Sequence, residues 1–287
     1  MVVDSHHHLW DPAKRDYPWM VGDALAPIRR RFDAVDLKPL LDSSGIDRTV
    51  VVQTVSSLSE TREFLQAAAE NDFIAGVVGW VDLTNRAVAK TLSELKRRKG
   101  GSFLVGIRHQ VHDEPDPEWL LREDVQRGIA EVGEAGLVYD LLVRTRELPS
   151  GLETIKRHPG MRFVIDHAAK PRIAAGVWDL AWEKALAPAA DYPNVTCKLS
   201  GLVTEAEWTA WTAEQLEPYV NKVLEWFGPE RCLFGSDWPV CLLASGYART
   251  VGVVMDDLAA RPPAARAAVL GGTAARFWNL DQGETSP

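Results

Sequence analysis

Eight short, nearly continuous apolar segments recur along the chain, and amphipathic stretches separate them. Continuous apolar runs, rather than alternating ones, are typical of strands buried on both faces of a parallel sheet. Parallel neighbours need long crossover connections, which are usually helices. The segments are residues 2–10, 48–55, 73–82, 103–111, 137–143, 162–168, 194–200 and 231–239.

The stretches between these segments predict helices. Their bounds are 36–44, 59–71, 84–99, 117–135, 152–157, 177–190, 205–227, 247–260, 263–270 and 273–279. Eight strands alternating with helices predict the α/β class, as a single-domain (β/α)8 TIM barrel. We expect the barrel over residues 1–280 and a flexible tail over 281–287. The alternative, an open doubly wound sheet, would favour a Gly-rich nucleotide-binding turn after the first strand, and none is present.

The charge and the cysteines bear on partners and compartment. A net charge of −8 argues against nucleic acid or an anionic membrane as a partner. The three cysteines lack metal-binding or disulfide spacing, which indicates reduced thiols. No signal peptide or membrane-spanning run is recognised in the sequence. We therefore expect a cytoplasmic protein with a small-molecule substrate, and a homo-oligomer is compatible with the sequence.

His6 and His8 lie at the end of the first segment. Residues i and i+2 of a strand face the same side, so the two imidazoles project together and His7 points the other way. Such a pair can bind a divalent metal or polarise a carbonyl group. A purification tag or a chance histidine run is the alternative interpretation.

Polar residues also end the later segments, where a barrel of this kind places its catalytic groups. Asp237 ends the eighth segment, although a helix-capping role is an alternative. His167 ends the sixth, although a buried structural histidine is an alternative. If His167 faces the barrel lumen, strand alternation predicts that Asp166 faces away.

Four motifs together resemble the amidohydrolase superfamily. They are Asp4-x-His6-x-His8, Asp166-His167-x-x-Lys170-Pro171, Lys198-Leu199-Ser200-Gly201 and Phe234-Gly235-Ser236-Asp237-Trp238-Pro239. The chain is most similar to the amidohydrolase-related branch that contains sugar lactonases of the L-fuconolactonase type and 2-pyrone-4,6-dicarboxylate hydrolase. The resemblance extends from the first strand to residues 274–277.

The resemblance implies a lactone-opening hydrolase acting in carbohydrate catabolism. It makes Asp237 the general base, with His6, His8 and His167 polarising the carbonyl. The same residues, His6, His8, His167 and Asp237, would hold one divalent metal, zinc by preference, and a metal-independent reaction is the alternative. Lys198 stands where metal-rich members carry a histidine, so a two-metal site is not expected.

A neutral sugar lactone needs hydrogen-bonding groups and an aromatic platform. The substrate-binding candidates are Trp19, Gln53, Trp80, Arg108, His109, Asp140, Lys198 and Trp238. A pyrone dicarboxylate would need several arginines at the barrel mouth. Only Arg108 is expected there, because Arg144, Arg146 and Arg172 are expected to be solvated. Two further functions stay open, a metal-dependent decarboxylase of aromatic acids and a binding protein without activity.

Overall fold

A computed structural model describes residues 1–280, and the expected tail at 281–287 lies outside the described residues. Eight parallel strands form one sheet, hydrogen-bonded in chain order. The strands are β1 (Val3–His7), β2 (Arg48–Val52), β3 (Ile74–Gly79), β4 (Leu104–His109), β5 (Val138–Leu141), β6 (Phe163–Ile165), β7 (Val195–Leu199) and β8 (Cys232–Phe234). Each predicted apolar segment contains one of them.

The chain that follows β8 brings the sheet round to β1. The His8 amide donates to the Trp238 carbonyl at 2.6 Å, and the Asp237 amide donates to the His6 carbonyl at 2.8 Å. Strand order 1 to 8 without a reversal, together with this contact, makes the sheet a barrel. The predicted TIM barrel is confirmed, and the doubly wound alternative is wrong.

Helices connect the strands on the outside of the barrel. Within residues 1–280 they are α1 (Ala34–Ser44), α2 (Leu58–Glu70), α3 (Val88–Arg97), α4 (Glu123–Glu134), α5 (Leu148–Arg157), α6 (Leu180–Leu186), α7 (Leu202–Glu205), α8 (Ala213–Phe227), α9 (Tyr247–Ala259), α10 (Pro263–Ala267) and α11 (Thr273–Trp278). The predicted 205–227 helix begins only at Ala213, where Thr212 and Gln215 form the capping box that starts α8, and the short α7 ends at Glu205. The Ser57 side chain caps α2, so this helix begins at Leu58, one residue before the predicted start.

The barrel interior has an apolar layer of its own. Val3, Val50, Val138 and other strand residues form a cluster separate from the core under the outer helices, and Trp278 of α11 packs against it. The Lys198 ammonium lies 5.3 Å from the centre of the Trp278 ring. The apolar layer therefore lies directly beneath charged side chains. No helix within residues 1–280 is long and apolar enough to cross a membrane.

Candidate active site

Three histidines surround one carboxylate where β1, β6 and β8 end. The Oδ1 atom of Asp237 lies 3.2 Å from Nε2 of His8, 3.8 Å from Nε2 of His6 and 3.9 Å from Nε2 of His167. All four side chains are buried. His7 bonds Thr49 instead, at 2.9 Å. The structure thus brings together the four residues that the sequence nominated for catalysis.

Two glycines allow this close approach. A Cβ atom on Gly201 would lie 2.5 Å from Nδ1 of His167 and 3.1 Å from Oδ2 of Asp237. A Cβ atom on Gly235 would lie 2.7 Å from Cβ of His6. Real Cβ atoms do not approach neighbours so closely. Any larger residue at either position would push a site residue away.

The backbone after β6 takes an unusual path. His167, Ala168, Ala169 and Lys170 all have φ between 49° and 57°, a left-handed conformation that each non-glycine residue adopts at a cost of about 1–2 kcal/mol. The Trp182 indole donates to the Ala168 carbonyl at 2.6 Å. This turn ends the strand alternation, so Asp166 and His167 both face the site. The expectation that Asp166 faces away is wrong for that reason.

Asp166 belongs to a buried cluster of charges beneath the histidines. Its carboxylate lies 3.0 Å from the Arg108 guanidinium and 2.9 Å from the Lys198 ammonium. Lys198 also contacts Asp140 at 2.6 Å. Burial raises the pKa of Asp140, although the Lys198 charge opposes the shift. Two cations and two carboxyl groups thus form a fixed base for the site.

His6 lies between the two cations of this cluster. Lys198 Nζ is 3.2 Å from its Nδ1 atom, and Arg108 Nη1 is 3.3 Å from its Nε2 atom. Burial and the Lys198 charge lower the pKa of His6 well below its usual value. The ring is therefore neutral at pH 7. A neutral imidazole has one lone pair, so His6 can accept from only one of the two donors.

The other ionisable groups of the site divide by charge. Burial lowers the pKa of His167 to about 3, so this ring is neutral at pH 7. Burial by itself would raise the pKa of Asp237, but the facing histidines hold it well below its usual value. Asp237 is therefore ionised at pH 7. An ionised carboxylate beside neutral imidazoles is the protonation state that a general base requires.

His8 provides a test of whether a metal fits. Its Nδ1 atom lies 2.7 Å from the Val52 carbonyl oxygen, and its Nε2 atom lies 3.2 Å from the Asp237 carboxylate. Both neighbours only accept hydrogen bonds, so a ring that donates to Val52 through Nδ1 turns the lone pair of Nε2 toward the carboxylate, and a divalent cation held by His8 and Asp237 would satisfy both groups. The ligand atoms of His6, His8 and Asp237 lie within 4.8 Å of one another. This N₂O donor set fits zinc.

His167 falls in a second potential metal group, with His6 and Asp166. Arg108 and Lys198 already pair with the Asp166 carboxylate. His6, Asp166 and His167 therefore form a poorer metal site than His6, His8 and Asp237. A metal bound to Nε2 of His6 would have to displace the contact with Arg108. His167 as a fourth ligand stays a prediction.

A cavity of about 300 Å³ opens above these residues. Among the substrate-binding candidates, Trp19 and Arg108 line it. The residues that the sequence analysis did not nominate for binding are Thr54, Gln110, His112, Asp113, Leu142, Arg144, Lys170 and Val240. Arg144 is exposed, as expected, but it also lines the cavity. Gln110 and His112 directly follow β4 in the sequence, and this position after a strand could have identified them as cavity residues.

The remaining binding candidates lie outside the cavity lining, and their binding role stays a prediction. Gln53 accepts from Arg108 Nε at 3.3 Å, and Lys198 and Asp140 are buried in the charge cluster. The other three are aromatic residues with aromatic partners. Trp80 donates to His109, His109 stacks on Trp119, and Trp238 packs edge-on against Phe32.

Comparisons with known proteins agree with this geometry. An L-fucono-1,5-lactonase of Burkholderia ambifaria is 40% identical, over 98% of this chain and 96% of its own length. A second one, of Burkholderia multivorans, is 38% identical over the same shares of the two chains. A crystal structure of an amidohydrolase from Burkholderia multivorans with bound zinc has a TM-score of 0.91 at 38% identity, covering 98% of this chain and 99% of that one.

More distant structures share the fold alone. A probable 2-pyrone-4,6-dicarboxylic acid hydrolase from Acinetobacter baumannii has a TM-score of 0.78 at 16% identity, covering 97% of this chain and 99% of that one. The family model described as amidohydrolase matches residues 3–280, which include every residue of the site. The chain therefore belongs to the amidohydrolase family.

Proposed function

We propose that this protein hydrolyses the ring ester of a sugar lactone, with L-fucono-1,5-lactone as the first substrate to test. The observation that carries the proposal is the Asp237 carboxylate, which three imidazoles surround beneath a cavity of about 300 Å³. A general base beside carbonyl-polarising groups is what ester hydrolysis requires. The two Burkholderia lactonases, similar over 98% of this chain, support the same reaction.

Asp237 takes a proton from water as the water oxygen bonds to the lactone carbonyl carbon. General base catalysis of this kind contributes about 10²–10⁴-fold. The tetrahedral intermediate then breaks its bond to the ring oxygen, and the protonated Asp237 returns its proton to that oxygen. The product is an open-chain hydroxy acid, whose carboxyl group ionises and releases one proton to the solution.

The developing negative charge on the carbonyl oxygen needs donors on the cavity side. Arg108 lines the cavity, but its guanidinium nitrogens already contact Gln53, Asp166 and His6. The Ser200 hydroxyl lies 2.9 Å from Nδ1 of His167, and when it donates there, Nε2 of His167 carries a proton toward the cavity. Losing one donor to an oxyanion typically costs about 2.7–4 kcal/mol of transition-state stabilisation.

We propose that zinc is the metal that His6, His8 and Asp237 hold. Bound zinc would supply Lewis-acid polarisation of the carbonyl and would lower the pKa of bound water. The zinc in the Burkholderia multivorans structure and the facing acceptors around His8 support this assignment. Asp166 and Gln53 hold the Arg108 guanidinium beside these residues.

The charges of the cavity favour a neutral sugar lactone over a dicarboxylate. Asp166 pairs with Arg108, and Glu205 pairs with Lys170. Arg108 and Lys170 are therefore already paired. Of the arginine and lysine side chains that line the cavity, Arg144 is left to bind a substrate carboxylate. Trp19 offers an aromatic face to the sugar ring, and its indole nitrogen donates to the Thr54 carbonyl at 3.0 Å. Likeness to aromatic-acid decarboxylases is limited to the fold, at 14% identity.

The test is the rate of acid release from L-fucono-1,5-lactone, followed with a pH indicator. Asp237→Asn should lower kcat by at least 10²-fold, because the base is lost while the shape is kept. Asp191→Asn is the matched control, since this exposed carboxylate precedes β7, away from the site. Spontaneous hydrolysis is subtracted from every rate. Equal rates for the two variants would disprove the role of Asp237.

The metal assignment has its own test. Removal of metal with 1,10-phenanthroline, followed by metal analysis of the protein, should leave the fold intact and remove one zinc per chain. The His8→Ala variant should bind zinc at least tenfold more weakly, because a ligand is lost. If the untreated protein holds no zinc and zinc addition leaves the rate unchanged, the zinc assignment is wrong while the lactonase proposal stands.

A further inference from the structure

A second cavity, of about 310 Å³, lies outside the barrel between α8 and α9. Its inner wall is apolar and includes Leu202, Leu216, Val220 and Val254, each at most 8% exposed. Cavities that bind small molecules have volumes of roughly 300–1,000 Å³ and mostly apolar linings. The cavity is therefore large enough for the apolar part of a small ligand.

The mouth of this cavity is acidic. Its carboxylates are Glu214, Glu217, Asp256 and Asp257, and the described residues that line it include no lysine, arginine or histidine. Arg261 pairs with Asp257 at 3.3 Å. Within residues 1–280 the other three form no ion pair. An apolar interior beneath uncompensated carboxylates matches a ligand with an apolar body and a positive charge at one end.

We propose that the α8–α9 cavity is a binding site for small organic cations, of the arylalkylammonium class. The aromatic body would lie against Val220 and Val254, and the ammonium group would lie at the mouth near Glu217 and Asp256. Apolar burial supplies most of the affinity, at roughly 25 cal/mol per Å² of apolar surface. The carboxylates select a cation over a neutral molecule of the same shape.

The cavity shares a wall with the active site. Ser200 and Gly201 line it, and the Ser200 hydroxyl is the group that bonds Nδ1 of His167 at 2.9 Å. A Cβ atom on Gly201 would lie 2.5 Å from the same nitrogen. A ligand that shifts Ser200 therefore changes the orientation of His167. Ligand binding in the cavity and lactone turnover are therefore coupled, because only Ser200 and Gly201 separate the ligand from His167.

Isothermal titration calorimetry with phenethylammonium chloride tests the binding, and phenethyl alcohol is the neutral analogue. The protein should bind the ammonium ion saturably and at least tenfold more tightly than the alcohol. The Glu217→Gln/Asp256→Asn double variant should remove this preference. The Glu131→Gln/Glu134→Gln double variant, which removes two carboxylates from α4 instead, should keep it. Equal binding of the two probes, or no saturable binding, would overturn the proposal.

The location of the site is tested by filling it. Val220→Trp should abolish binding of phenethylammonium, and added phenethylammonium should then no longer change the rate of lactone hydrolysis in this variant. If that variant does not fold, as judged by circular dichroism, Val253→Phe at the half-buried edge of the cavity is used in its place. Binding that persists in a folded, filled variant would contradict this location.

The coupling between cation binding and lactone turnover rests on the proposed lactonase activity, and it is measured in a separate experiment. Saturating phenethylammonium should lower kcat at least twofold in the wild type and leave the Glu217→Gln/Asp256→Asn variant unaffected at the same concentration. Calorimetric binding without a change in kcat would refute the coupling but not the site. A wild type that binds the cation yet turns over no lactone would instead refute the proposed function.

Discussion

The glycine that follows β7 offers a sharp test of how the site is packed. Gly201 has φ +64°, and a Cβ atom there would lie 2.5 Å from Nδ1 of His167. Ordinary contacts of a Cβ atom begin near 3.4 Å. The Gly201→Ala variant must therefore open this contact by about 1 Å. A misplacement of that size can reduce the rate by roughly 10²-fold, so we expect kcat to fall by about that factor.

Gly45→Ala is the matched control. Gly45 has φ +67°, and a Cβ atom there would meet nothing within 4 Å. Both substitutions place alanine in the left-handed region and should each destabilise the fold by about 1–2 kcal/mol. Because Gly45 ends α1 before β2, far from the histidines, its variant should keep the wild-type kcat. The pair separates backbone strain from displacement of the site.

The assay combines initial rates of lactone hydrolysis with urea denaturation of both variants. Rates are compared at substrate saturation and at a temperature where both variants are folded. A kcat for Gly201→Ala within threefold of that for Gly45→Ala would refute the packing argument. Loss of activity in both variants would instead assign the effect to backbone strain alone.

Three further variants test the supports of the site. Lys198→Met removes the buried cation between two carboxylates and should cost about 3–5 kcal/mol in urea denaturation. Trp182→Phe removes the bond to the Ala168 carbonyl and should cost about 0.5–1.5 kcal/mol by the same method while also lowering kcat. Bonding to Arg172 lowers the pKa of Asp179 to about 2, below its unfolded value, so Asp179 stabilises the fold above about pH 4. Asp179→Asn should therefore be less stable than wild type at pH 7, and the difference should shrink as the pH falls below 4.

Each of these variants has a control. Lys90→Met removes an exposed lysine of α3 and should change stability little. Trp226→Phe replaces a neighbouring indole with a smaller ring and should leave kcat unchanged. The centres of the Trp226 and Trp182 rings lie 5.3 Å apart. Asp179→Asn is compared with the wild type in pH steps from 7 to about 2, and a constant difference across that range would contradict the pKa argument.

The fold was predictable because the signal for it is repetitive. Each of the eight apolar segments contains a strand, and strand order then follows chain order. The gathering of His6, His8, His167 and Asp237 was predictable for a related reason. The C-terminal ends of barrel strands meet at one face, so residues that end distant segments become neighbours. Pattern and topology predicted that these four side chains lie at one face, and the resemblance to the amidohydrolase superfamily singled them out among the residues that end strands.

What the sequence did not predict depends on backbone paths and on partners. Alternation from an inward-facing His167 placed Asp166 outside the lumen, but Asp166 lies on the same inward face as Val164. The left-handed residues that begin at His167 turn that ring to the same side, and no residue type announces such a run. Lys198 and Asp140 end strands as cavity residues would, yet they pair with each other at 2.6 Å beneath the site. A strand position shows which way a side chain points. It does not show whether an oppositely charged neighbour already pairs with that side chain.

The contact between the two ends of the sheet has a consequence for synthesis on the ribosome. His8 and Asp237 are 229 residues apart in sequence, yet they lie side by side. Helical connections can form as the chain emerges, but the Asp237 carboxylate meets the three histidines only after the eighth strand has left the exit tunnel. A nascent chain that stalls before β8 therefore carries three of the four groups and no working site. Activity appears in one step, at the end of translation.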